Sequence, residues 1–155
     1  MRVAVALLAF TLGPASPAIT GPYDIDWTVS ARLTRWHDGQ TVTTTAERRG
    51  RGVARLVRVA PEVLRIDFSG EDGEGQGYVG PAGPTAFVFP PAMPLPGPPA
   101  LPHLTGGSFE LLGPPDHPSG FRVDYVEGFI CRATPAVCGG VAMWEQHFAA
   151  RAARP

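Results

Sequence analysis

The chain has 155 residues, of which 44% are hydrophobic and 17% charged, enough for one domain with one modest core and too few for two. Arginine supplies all 13 basic residues and neither Lys nor Asn occurs, so lysine Schiff-base and P-loop chemistry and N-linked glycosylation are excluded. With 19 Gly, 18 Pro and two Cys the sequence is neither collagen-like, nor a disulfide-dense scaffold, nor a Cys-rich zinc protein, which leaves a loop-rich globular domain.

The first predicted element is an export signal. Met1-Arg2 is a charged start, Val3 to Leu12 is apolar apart from Thr11, and Gly13 to Ala18 is small and turn-prone, with Ser16 and Ala18 placed for cleavage after Ala18. The apolar run is about half of the roughly 20 residues a membrane-spanning helix needs, so no transmembrane segment is expected. The expected division is residues 1–18 as signal peptide and 19–155 as a single β-rich domain, periplasmic or secreted. Removing the signal leaves 12 Arg against 14 acidic residues, a formal charge of −2 that gives nucleic acid no electrostatic hold. The charge is uneven. Residues 32 to 65 hold eight Arg against three acids and suggest a solvated strand face or, less simply, a surface for an anionic partner.

Tyr23 to Thr34 alternates apolar and polar residues over its whole length, which predicts a long strand with one buried face. Asp38-Gly39 predicts a type I′ hairpin turn, with Thr41 to Ala46 as the returning strand. Further strands are expected at Val53 to Val59, Val63 to Phe68, Gly77 to Val79, Thr85 to Phe89, Ser108 to Leu112, Phe121 to Val126 and Phe129 to Cys131, separated by Gly- and Pro-containing turns. Residues 90 to 103 contain seven Pro and predict a polyproline loop; Met93, Leu95 and Leu101 favour a loop draped over an apolar sheet face. The Ala- and Arg-rich stretch from Gly139 to Arg154 predicts a short C-terminal helix, although its odd-even alternation equally permits a last strand through Phe148. The fold class expected is mainly β: a curved antiparallel sheet or half-barrel with a Pro-rich loop and a short C-terminal helix.

Chemistry-bearing patterns are sparse. Cys131 and Cys138 are seven apart across a Pro-containing loop and predict a structural disulfide in an oxidising compartment. The spacing is not the Cys-x-x-Cys of a thiol oxidoreductase. His37, His103, His117 and His147 are scattered, and no Ser occupies a Gly-x-Ser-x-Gly elbow, so no hydrolase constellation forms. Asp67, Glu71, Asp72 and Glu74 among glycines match no calcium-loop spacing and read as an acidic hairpin turn. No cofactor, no metal and no catalytic residue is expected, and the protein is read as not being an enzyme.

Residues 53 to 91 carry a strand, a Pro turn, Leu64-Arg65-Ile66-Asp67, the Gly77 to Val79 strand and Phe87-Val88-Phe89-Pro90. In this order they resemble the LolA superfamily of exported lipoprotein carriers and their relatives. The resemblance covers about a quarter of the chain. The mature chain is shorter than a typical carrier, and Gly80-Pro81-Ala82-Gly83-Pro84 replaces the usual Asp-Gly. The resemblance implies a curved sheet with a concave apolar face that binds acyl chains or another apolar ligand. Period-two patterning places Trp27, Val29, Leu33, Leu64, Ile66, Phe68, Phe87, Phe89 and Tyr125 on that face as candidate ligand-binding residues. The function expected is therefore non-catalytic binding of a lipid-like ligand or an acylated envelope protein. The alternative is an envelope structural or protein-interaction domain whose sheet face is a filled core.

Overall fold

A computed structural model describes residues 20–71, 73–88, 95, 104–115 and 117–155. The expected signal peptide, Phe89, His103, Asp72 and all of the Pro-rich segment but Leu95 lie outside the described residues. Those described form eight antiparallel strands: β1 (Thr20–His37), β2 (Gln40–Ala60), β3 (Val63–Gly70), β4 (Gly73–Gly80), β5 (Gly83–Val88), β6 (Leu104–Leu112), β7 (Gly120–Ile130) and β8 (Val141–Ala153). They make one sheet in the order β5-β4-β3-β2-β1-β8-β7-β6, a meander whose last strands return to pair with the first. The sheet curls until its two edge strands approach each other, with the Gly107 carbonyl oxygen 3.1 Å from where a Gly83 Cβ would stand. The result is a nearly closed, barrel-like sheet with a seam between β5 and β6, which removes most of the edge an open sheet would expose.

The strand pattern of the sequence decides which side of each strand is inside. In β1 the odd residues Tyr23, Ile25, Val29, Ala31 and Leu33 are buried, whereas Asp24, Asp26 and Arg32 are exposed. The hairpin forms where Asp38-Gly39 predicts it, with φ of 48° and 78° at the two residues and His37 opposite Gln40. The returning strand is longer than expected, since Thr41 to Ala46 and Val53 to Val59 are parts of the single 21-residue β2. In the same way Phe129 and Ile130 continue β7. Long strands suit this fold because β1 pairs with β2 on one side and β8 on the other along most of its length.

The predicted C-terminal helix is not formed; Val141–Ala153 is strand β8. Alanine favours helix in isolation, but here the inward residues Trp144, Phe148, Ala150 and Ala152 are buried by pairing with β1 and β7 at once. A helix would expose two neighbouring strand edges as well as part of this apolar set.

Two apolar clusters fill the interior. The larger joins Tyr23, Ile25, Val29, Leu56, Ile66, Phe68, Phe121, Val123, Tyr125 and Phe148. The smaller joins Leu33, Phe129, Val141 and Trp144, with Trp36, Leu95 and the Cys131–Cys138 pair against it. The disulfide is present and holds the β7–β8 loop, its Cα atoms 6.1 Å apart. The Trp144 indole Nε1–H donates to the Leu95 carbonyl at 2.8 Å, pinning one point of the Pro-rich segment over the smaller cluster.

Candidate functional site

Strand pairing carries the candidate residues inward. Opposed residues of neighbouring strands point to the same face, so Trp27 beside Ala150, Val29 beside Phe148, and Phe148 beside Tyr125 build one continuous wall. Ile66 and Phe68 reach it from β3 through Leu56 and Ala54. Phe68 stacks on Phe148 with ring centroids 6.0 Å apart, and Tyr23 meets Phe121 edge to face at 5.7 Å.

Of the nine residues singled out from the sequence, Val29, Ile66, Phe68 and Tyr125 are buried in the larger cluster, with Trp27 and Leu64 packed against it. Leu33 faces inward but belongs to the smaller cluster. The backbone of Phe87 lies opposite Gly77; Phe89 lies outside the described residues. The structure thus brings six of them together and sets one apart.

What separates the clusters escaped the sequence reading. Between Val29 and Leu33 on β1, between Phe148 and Trp144 on β8, and between Tyr125 and Phe129 on β7, the inward positions are Ala31, Gln146 and Glu127. These three lie opposite one another across the strands, with Ala46 of β2 opposite Ala31. Arg48, paired with Val29, turns to the same face. A polar layer one residue deep therefore crosses the apolar interior. Gln146 is 1% exposed, and neither its Nε2 nor its Oε1 has a hydrogen-bond partner. The signal was present in the sequence: Gln146 and Glu127 each interrupt an otherwise apolar set at period-two positions. Burial, reinforced by the charge of Glu127, pushes the Tyr125 phenol up to about 12.

The outer face carries most of the arginines. Opposed residues make a charged row of Glu110, Arg122, Arg151, Asp26 and Arg51 across five strands. Arg51 meets Asp26 at 2.9 Å and Arg122 meets Glu110 at 3.6 Å, both exposed. These residues line an open groove of about 1380 Å³. Arg65 hydrogen-bonds Asp67, which holds its guanidinium still more firmly protonated, and Arg49 pairs with Glu47. Exposed pairs of this kind contribute little to stability. Of the eight Arg in residues 32 to 65, Arg49, Arg51 and Arg65 are paired on this outer face, whereas Arg48 and Arg58 lie opposite the inward Val29 and Leu64. His147 lies 2.9 Å from Asp124 on this outer side.

Among the described residues no group of three or more His, Cys, Asp or Glu is placed to hold a metal ion, and no helix is long and apolar enough to cross a membrane. Protein-family models, curated proteins and solved structures offer no match to this chain.

Proposed function

We propose that this is a non-catalytic, exported binding protein whose barrel interior takes an apolar, lipid-like ligand or the acyl chain of an envelope partner. One observation carries the reading: Trp27, Leu64, Phe109 and Leu111 pack on the inner cluster yet are only partly buried. They come from β1, β3 and β6, so they belong to opposite sides of the seam. A filled core would cover them; an interior that admits a guest leaves such surface for it. The disulfide suits an oxidising compartment, and the LolA-like pattern of residues 53 to 91 points to the same class of ligand.

The Phe68–Phe148 stack favours a second reading, a packed interaction domain with no guest, because it spans the interior with protein side chains alone. N-phenyl-1-naphthylamine binding and native mass spectrometry of protein purified from the envelope distinguish the two. The binding reading expects co-purifying lipid and probe uptake. It also expects Trp27→Ala to weaken uptake with little loss of stability, while Phe68→Ala costs about 3–5 kcal/mol of stability. A lipid-free parent protein that takes up no probe rejects the binding reading.

A further inference from the structure

β2 is an inner strand of the sheet order, yet more than half of it has a neighbour on one side only. Its pairing with β1 runs to Gln40 at the hairpin, whereas its pairing with β3 begins at Gly52. Among the described residues no other strand pairs with Gln40 to Arg51. In an antiparallel ladder alternate residues exchange both backbone bonds with one neighbour, and the two-residue turn makes His37 and Gln40 such a pair. The even residues from Gln40 to Gly50 therefore bond to β1. Thr41, Thr43, Thr45, Glu47, Arg49 and Arg51 direct their N–H and C=O groups the other way, to an edge with no partner strand.

Edges of this length are ordinarily blunted by Pro, bulges or charge. Gln40 to Ala46 contains no Pro and no charged residue, and its register against β1 is unbroken. Thr41 to Thr45 is β-branched throughout, with the side chains on both faces exposed. A hydroxyl bond of 2.9 Å between Thr34 and Thr43 ties this overhang to β1. All the charge of the edge sits in its second half, on Glu47, Arg48, Arg49 and Arg51.

We infer that this edge is a dimer interface: a second copy adds its own β2 antiparallel about a twofold axis at Thr45, joining two barrels through one continuous sheet. The axis sets Thr41 against Arg49 of the second copy, Val42 against Arg48, and Thr43 against Glu47. Each neutral half thus meets the other copy's charged half, and no like charges stand opposite each other. Arg32, beside Thr45 on β1, has Glu145 opposite it on β8. The pairing ends at Arg49, short of Gly52, where β3 takes over. A parallel pairing in register would instead oppose Arg48 to Arg48, Arg49 to Arg49 and Glu47 to Glu47. An acidic strand from another protein would suit the arginines but meet Glu47 and the neutral half without a match. The dimer does not depend on what the interior binds.

Sedimentation velocity of the purified protein from about 1 µM to about 500 µM is expected to show a reversible monomer–dimer equilibrium, with amide exchange at Thr43, Thr45 and Glu47 slowing as dimer forms. Thr45→Pro removes an N–H that faces the open edge and leaves the bonds to β1 in place. It is expected to weaken dimerisation at least about tenfold, since both bonds exchanged at the axis are lost. Thr45→Arg keeps the N–H, opposes two charges at the axis and is expected to weaken dimerisation as well, so the test does not rest on the proline variant folding. A parent that stays monomeric throughout overturns the inference. So does a dimer that both variants leave intact, or one whose formation leaves exchange at Thr43 and Thr45 unchanged. Slow exchange at these amides in the monomer shows the edge covered by the chain itself, and slowing only on addition of envelope extract shows another protein there; either result overturns the second copy as occupant.

Discussion

The indole of Trp27 lies flat across Gly50 of the neighbouring strand, where a Cβ at Gly50 would overlap the ring carbons Cζ2, Cε2 and Cη2. The pairing register places the two residues opposite each other on the inner face, so a tryptophan of β1 occupies the room that a glycine of β2 leaves. Gly50→Ala forces the indole off this seat. The expected cost is about 1–3 kcal/mol, the usual range for overpacking, read from urea unfolding and from a shift in Trp emission. Because the clash is specific, Gly50→Ala combined with Trp27→Ala should be less destabilised than the two single changes added together. Additive losses would show that the ring does not depend on the gap.

Tyr125 gives the fold a defined alkaline limit. Its phenol titrates near 12 when folded against an ordinary value of 10, chiefly through burial and then through the Glu127 charge. Below pH 10 the residue is neutral in both states and its contribution is intact. Between about pH 10 and 12 the unfolded chain ionises first, so stability falls as pH rises through that window, by about 2–3 kcal/mol when complete. Tyr125→Phe should flatten this part of the curve of urea midpoint against pH. An unchanged slope would place the alkaline loss elsewhere.

The inward set of the fold was legible because period two has one meaning in a strand buried on one face. Tyr23 to Thr34, Val63 to Phe68 and Phe121 to Val126 showed their buried side directly, and Asp38-Gly39 showed the turn. β8 was ambiguous, since Trp144 and Phe148 share a face at helical and at strand spacing alike, and only pairing on both sides decides between them. The continuity of β2 was hidden by Glu47 to Gly52, whose charges and glycines read as a break; the glycines are there for Trp27 and for close approach to β3. The polar layer was missed for a different reason. A single Gln in an apolar series looks like an outward residue until register places it beside Ala31 and Glu127.

The disulfide links residues seven apart at the end of the β7–β8 hairpin, against the smaller cluster, with Cys138 buried. Closing a loop of this length stabilises by about 2.5 kcal/mol in the chain-entropy model. Cys131→Ser is expected to lose about that amount, and the reduced parent should match the variant. Thiol labelling of the unfolded, oxidised parent should find no free thiol. A variant as stable as the parent would assign the bridge no part in holding the loop.

Trp144 does two jobs at the end of the barrel nearest the disulfide. Its ring fills the smaller cluster at 1% exposure, and its indole N–H holds the Leu95 carbonyl at 2.8 Å. The two are separable. Trp144→Phe keeps an aromatic ring in the cluster but removes the donor, leaving a carbonyl to find water, which costs about 0.5–1.5 kcal/mol beyond the smaller ring's loss of packing. Leu95→Ala keeps the backbone bond and removes the side chain that packs against the smaller cluster. If the indole bond is what fastens this point of the Pro-rich segment, hydrogen exchange at the Leu95 amide should accelerate in Trp144→Phe more than in Leu95→Ala, with the β1 and β8 amides near Val29 and Phe148 unchanged. Acceleration confined to Leu95→Ala would instead make the side-chain packing the fastener. In that event apolar probes should enter Leu95→Ala faster than the parent and Trp144→Phe at the parent's rate.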